Sequence, residues 1–381
     1  MYYVSRITGA AALGALGMAV WFSIVLARAD FYFRKATPEM VERATEIAPR
    51  NTLYLAMRGL ELDYEGADSR GLTEQIAALN PLASAPRIRL GLAAEISGDS
   101  ASAERWLLDA ARVDHQFEPR WTLANFYFRA GNKPDEFWKW MRAALEVSYG
   151  DRTPAYELCW RVSSDAAEIL RRGIPERHEV VGSYLVYLLE KNRVGMTRDV
   201  ARRLSRYHDA ADLPLLFGVC DELIQMKEAA AVEVWAMTGQ GAPAGIFNGD
   251  FGRAPLNHGF DWRLMESPGV THVNGNRIVL SGQQGESCSL LRQMLSVSAG
   301  KRYRIQWEAR TTGIRNPSGL EWRVADRSGA LLPGDDWRAG ELTFAAGEKF
   351  TDLELVYQRP VGEARAEGTV ELRGVRMVEA R

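Results

Sequence analysis

The chain changes its hydrophobic period once. From about residue 36 to 240 apolar positions recur at helical spacing, and from about 244 they alternate with polar ones, so helices give way to strands. Thr37-Pro38-Glu39 supplies an N-cap, a first-turn proline and a first-turn acid, starting a helix that ends near Ala48-Pro49. The pattern predicts further helices at about 52–64, 70–79, 86–97, 101–113, 119–130 and 134–147, separated by Asn80-Pro81, Gly98 and Gly131. In the second region Tyr303, Ile305, Trp307 and Ala309 alternate with Arg304, Gln306, Glu308 and Arg310, the pattern of a strand with one buried face. Residues 320–324 and 353–357 alternate too. With the apolar runs at 278–280, 289–297, 342–344 and 370–378 they predict at least seven strands, hence an antiparallel sandwich.

The N-terminus follows neither period. Residues 7–27 are 21 uncharged positions between Arg6 and Arg28, long enough to cross the hydrocarbon core as a helix. A retained anchor is expected; Ala27-Arg28-Ala29 also resembles a small-x-small processing site, so a signal sequence is the alternative. Orientation stays open. Arg28, Arg34 and Lys35 on the C-terminal side favour a cytoplasmic domain by the positive-inside rule, yet long domains translocate largely regardless of charge. The expectation is an inner-membrane anchor with the soluble part outside the cytoplasm. The segments are therefore 1–35, anchor (or uncleaved signal) and flank; 36–240, an α-solenoid of helical hairpins; and 244–381, a β-sandwich.

An internal repeat sharpens the helical reading. Ala77-Ala78, Ala110-Ala111 and Ala143-Ala144 recur every 33 residues, with Ala44 one period upstream, and small residues at matched positions let paired helices approach closely. Leu90, Gly91, Ala94, Gly98, Ala103 and Ala111 in one unit, and Leu123, Ala124, Tyr127, Gly131, Phe137 and Ala144 in the next, resemble the tetratricopeptide repeat (TPR) family. The family's proline after the second helix stands at Pro49 and Pro81 and is missing later. The resemblance implies a superhelical surface that holds a protein partner. The aromatics Trp121, Phe126, Tyr127, Phe128, Phe137, Trp138 and Trp140 read as core packing, and Arg171, Arg172 and Arg198 to Arg206 as a solvated helix face.

Phe247-Asn248-Gly249-Asp250-Phe251, then Gly259-Phe260-Asp261-Trp262 and the turn Ala299-Gly300-Lys301-Arg302-Tyr303-Arg304, resemble carbohydrate-binding modules of the xylan- and glucan-binding jelly-roll type. That resemblance implies polysaccharide binding on a concave face and, in many relatives, a structural calcium ion between the first and last strands, for which no ligands are assigned here. Arg, Gln and Glu side chains suit hydroxyl recognition while an aromatic ring stacks on a sugar. The candidates are Arg304, Gln306, Glu308, Glu321, Arg323, Glu354 and Gln358, with Trp337 as the stacking ring. The alternative is that this polar face is only the solvated outside of a sandwich. Trp262, Trp307 and Trp322 read as core.

Composition narrows the function. A formal net charge of −2 provides no basic stripe for nucleic acid. Cys159, Cys220 and Cys288, odd in number and set in apolar stretches, read as buried thiols, with no disulfide framework or metal motif. The five histidines show no metal spacing, no nucleophile elbow or P-loop occurs, and Asp335-Asp336 reads as a turn, so no enzyme and no cofactor are expected. The expected function is a non-catalytic, membrane-anchored envelope scaffold whose repeats dock a protein and whose sandwich binds polysaccharide, in exopolysaccharide or cell-surface assembly. The alternatives are a purely protein-binding scaffold and a glycan-modifying enzyme.

Overall fold

A computed structural model describes residues 2–380. It contains helices α1 (Tyr2–Phe33), α2 (Pro38–Ile47), α3 (Thr52–Tyr64), α4 (Arg70–Leu79), α5 (Ala85–Ile96), α6 (Ser100–Val113), α7 (Phe117–Ala130), α8 (Pro134–Val147), α9 (Thr153–Val162), α10 (Ala166–Glu168), α11 (His178–Glu190), α12 (Thr197–Ser205), α13 (Leu213–Gln225) and α14 (Ala230–Trp235). Ten strands follow: β1 (Arg263–Leu264), β2 (Val270–Val273), β3 (Arg277–Ser281), β4 (Ser287–Ser296), β5 (Arg302–Thr312), β6 (Leu320–Val324), β7 (Arg327–Ala330), β8 (Arg338–Ala345), β9 (Phe350–Gln358) and β10 (Glu367–Glu379). The composition switch near residue 244 marks a change of secondary structure. The chain's two compact units divide earlier, after Pro175.

In the first unit the repeat positions do what small residues do. Ala44, Ala94, Ala103, Ala110, Ala124 and Ala144 are fully buried, and a Cβ on Gly91 would stand 2.7 Å from Leu107, so α5 and α6 touch backbone to side chain there. Asn51 caps α3 by accepting from the Leu53 and Tyr54 amides, and Asp99 caps α6 by accepting from Ser102. Gly131 ends α7 at φ +68°, a conformation glycine adopts without strain. Phe126, Tyr127, Phe137 and Trp138 are core, whereas Trp121, Phe128 and Trp140 are half-buried. The segment Ala12–Phe33 of α1 is long and apolar enough to cross a membrane. It runs without a break into the first hairpin, where Ala29 is buried against Ala44 and Tyr54.

In the second unit the last helices pack on the sandwich. Trp235 is fully buried, its indole 5.2 Å from the Phe247 ring, 5.9 Å from Phe217 and 6.0 Å from Phe260. Gly259, at φ +55°, lies against that indole so closely that a Cβ would collide with it. Beside this contact the Asp221 carboxylate accepts from Arg263 at 2.6 Å, from His258 at 2.7 Å and from the Gly259 amide at 2.7 Å. Arg198 and Arg202 of α12 pair with Glu233 of α14 at 3.5 and 3.0 Å, so that part of the basic stretch braces neighbouring helices. Cys159 and Cys220 are buried thiols; Cys288 is half-buried.

The sandwich is a jelly roll of two five-stranded antiparallel sheets. One has the order β1-β4-β9-β6-β7 and the other β2-β3-β10-β5-β8. Alternation sends Tyr303, Ile305, Trp307 and Ala309 of one sheet and Leu320, Trp322, Val324, Leu353, Leu355 and Tyr357 of the other into a common core. Trp262, Trp307 and Trp322 meet there at ring distances of 5.9 and 6.1 Å. Replacing Trp235 by Ala removes the aromatic plug between α14 and the sandwich and is expected to destabilise the second unit by about 3–5 kcal/mol; denaturant unfolding of the full chain in detergent measures it.

Candidate functional site

A single core has a direct consequence for the polar candidates. Residues pointing away from it leave the sandwich on two opposite sides. Arg304, Gln306 and Glu308 lie on β5, whereas Glu321 and Arg323 lie on β6 and Glu354 and Gln358 on β9, in the other sheet. The candidate set is therefore two sets, which the sequence did not separate because β5, β6 and β9 show the same alternation.

The outer face of the β6–β9 sheet borders a cleft of about 630 Å³, lined by Asp221, Lys227, Arg263, Arg292, Arg323 and Glu354 among others. Its cations are already neutralised. Arg263 pairs with Asp221 at 2.6 Å, Arg292 with Asp352 at 2.6 Å, Lys227 with Glu348 at 2.5 Å and Arg323 with Glu321 at 2.6 Å. Carboxylates beside the Arg292 guanidinium, Asp352 first, hold it above its ordinary pKa. The only lining aromatic, Phe350, is buried.

The opposite face, β10–β5–β8, is ordered into cross-strand rows. Register sets Arg376 beside Gln306 and Gln306 beside Glu341; Arg373 beside Glu308 and Glu308 beside Ala339; Glu371 beside Arg310. The side chains connect along these rows: Arg373 to Glu308 at 2.5 Å, Arg310 to Glu371 at 2.7 Å and Arg376 Nε to Gln306 Oε1 at 3.1 Å. Half-exposed Trp337 lies across the rows, its ring centroid 5.0 Å from the Arg310 guanidinium and 4.1 Å from that of Arg373. Each such exposed contact is worth only about 0.5–1 kcal/mol, but together they fix the indole's position. A depression of about 520 Å³ opens on the same face, walled by Gln306, Glu308, Glu341 and Arg376. Its floor is low because β8 carries Ala339 and Gly340, and a Cβ on Gly340 would strike the Trp307 indole below. That volume falls within the range of about 300–1,000 Å³ typical of small-molecule sites.

Arg310, Glu341, Glu371, Arg373 and Arg376 were missed as a group. Arg310 was visible in the β5 alternation; the β10 residues were hidden by an irregularity. The β5–β10 register shifts between Arg373 and Arg376. That bulge is clamped by the first loop of the sandwich. The Val375 amide donates to Gly249 O at 2.8 Å, and the Val375 carbonyl sits where a Gly249 Cβ would be. The loop is itself held by fully buried Gln293, whose amide both accepts from and donates to the Phe247 backbone at 3.0 and 2.8 Å, and by Trp262 Nε1 donating to Asn248 O at 3.0 Å.

Asp261, the buried carboxylate beside the loop, already accepts from the Leu256, Trp262 and Asn248 N–H groups at 3.0, 2.7 and 3.4 Å. Burial raises its pKa, against the lowering effect of those donors. Among the described residues no group of three His, Cys, Asp or Glu side chains is placed to hold a metal.

No family model matches the chain, and no curated protein matches it. Among solved structures it is similar to a CBM4, with 14% identity over 35% of this chain and 99% of that one and a TM-score of 0.28. It is also similar to YrrB, a TPR protein with an unusual peptide-binding site, with 10% identity over 53% of this chain and 92% of that one and a TM-score of 0.27. PilW, a widely conserved type IV pilus biogenesis factor, is similar at 14% identity over 56% of this chain and 90% of that one, TM-score 0.27.

The loop clamp is testable by two glycines. Gly249→Ala forces the Cβ into the Val375 carbonyl and is expected to cost about 1–3 kcal/mol. Gly252→Ala, whose Cβ would meet nothing closer than Asp250 at 3.6 Å, should stay within about 0.5 kcal/mol of the parent in the same denaturation experiment.

Proposed function

We propose that the protein is a non-catalytic, membrane-anchored scaffold of the cell envelope whose sandwich binds polysaccharide on the outer face of β10–β5–β8 and whose helical repeats dock a protein. The observation that carries the reading is the conjunction on one face of a pinned, half-exposed indole and a depression walled by hydrogen-bonding side chains. Trp337 offers a ring for stacking on a sugar, and Gln306, Glu308, Glu341 and Arg376 offer donors and acceptors for hydroxyl groups. Arg304, exposed at the end of β5, extends the row. The candidates Glu321, Arg323, Glu354 and Gln358, on the other sheet, fall outside this assignment.

The apolar length of Ala12–Phe33 supports anchoring. Apolar side chains left exposed on α3, among them Leu53 and Leu60 at 60% and 57%, support docking of a protein on the repeats. The mechanism is tethering: an anchor and two weak surfaces raise the local concentration of polymer and partner without bond chemistry. Assembly of an exopolysaccharide or cell-surface layer is the setting that suits such a device, with the soluble part outside the cytoplasm.

The test is affinity electrophoresis of the detergent-solubilised full chain against a panel of bacterial and plant polysaccharides. Trp337→Ala and Gln306→Ala are each expected to weaken binding by about five- to 150-fold, since one stacked ring or one good polar contact is worth about 1–3 kcal/mol. Loss confined to Arg323→Ala would move the site to the opposite face. Retardation by no polymer would leave the protein-only scaffold.

A further inference from the structure

The depression on the polar face is lined by one cation, Arg376. Arg304, Arg310 and Arg373 pair with Glu341, Glu371 and Glu308 at 3.7, 2.7 and 2.5 Å. Arg376 is exposed, and among the described residues no carboxylate lies within ion-pair distance of it. Its Nε donates to Gln306 Oε1, while Gln306 Nε2 donates to Glu341 at 3.4 Å. The Nε–H is thereby occupied, and among the described residues the Nη pair of Arg376, a wall of the depression, has no hydrogen-bond partner.

The backbone is bent to put it there. On a regular strand, residues three apart point to opposite faces. Arg373 and Arg376 both point outward because the bulge inserts one position between them, with Gly374 at φ +59° and Val375 turned into the core. Gly249 and Gln293 hold the bulge through the first loop. The clamp therefore places a guanidinium without a carboxylate partner in the wall of a depression, on the face that also carries the indole. A guanidinium so presented is matched by a planar carboxylate, which takes two parallel N–H donors.

We infer that the polymer bound on this face is acidic, with a uronic-acid carboxylate received by the Nη pair of Arg376. This rests on the sugar-binding reading given above. Glu308 and Glu341 on the depression's other walls are paired with Arg373 and Arg304, so Arg376 is the charge there that a ligand carboxylate meets.

The experiment compares one uronate-containing polysaccharide of alternating composition, such as hyaluronan, with its carboxyl-reduced form, using the detergent-solubilised full chain. The parent is expected to bind the acidic form at least tenfold more tightly, and Arg376→Gln to lose that preference. Arg327→Gln removes an exposed charge on the other sheet and should keep the preference. Equal affinity for the two forms overturns the acidic assignment while leaving sugar binding in place. A preference that survives Arg376→Gln, or falls equally in Arg327→Gln, overturns the role of Arg376 and leaves general charge. Binding to neither form, together with no binding across the neutral panel, overturns both readings. Circular dichroism of each variant confirms that the exposed substitutions leave the fold intact.

Discussion

The second unit depends on one aromatic contact that only a glycine permits. Trp235 ends α14, and its indole fills a hole whose wall is the bare Cα of Gly259. Three rings, Phe217, Phe247 and Phe260, complete the enclosure from both sides of the junction. Because Phe247 opens the loop that carries Gly249, the same contact reaches the β10 bulge. Helix packing, loop position and the direction of Arg376 are links of one chain of contacts.

The two outer faces of the sandwich differ in how their charges are spent. On the β6–β9 side each cation around the cleft has a carboxylate partner, and a ligand there must break pairs to make its own. On the β10–β5–β8 side the pairs lie along the rows and support an indole, and the guanidinium that walls the depression, Arg376, has a glutamine rather than a carboxylate beside it. The larger cleft is thus the less receptive one. Volume measures room, whereas the cost of desolvating and re-pairing charges decides which room is used.

Much of the architecture was legible. The 33-residue alanine period located the hairpins to within one or two residues, since α5, α6 and α8 begin at 85, 100 and 134 where spacing predicted 86, 101 and 134. The aromatics Trp262, Trp307 and Trp322 were read as core from alternation and are core. Two things were hidden. Alternation tells inside from outside on each strand but carries nothing about which sheet a strand joins, so Gln306 and Arg323 looked like neighbours. The bulge at Gly374 breaks the period of two just where the candidate face gains Arg376, so residues 370–378 read as a plain apolar run. The boundary after Pro175 was also hidden, because helices of the repeats and helices that serve the sandwich share one periodicity.

The continuity of α1 carries a mechanical consequence. Its 32 residues span about 48 Å at 1.5 Å per residue, more than the roughly 30 Å of a hydrocarbon core. The excess becomes the first wall of a hairpin, locked by Ala29 against Ala44 and Tyr54. A protein joined to a bilayer by a loose tether swings freely, and a pull on it is absorbed by the tether. Here there is no joint between Ala12 and Phe33. On the anchored reading proposed above, a sideways load on the first repeats would arrive at the bilayer as torque on a stiff rod, and a tilt of that rod would be handed back to the repeats.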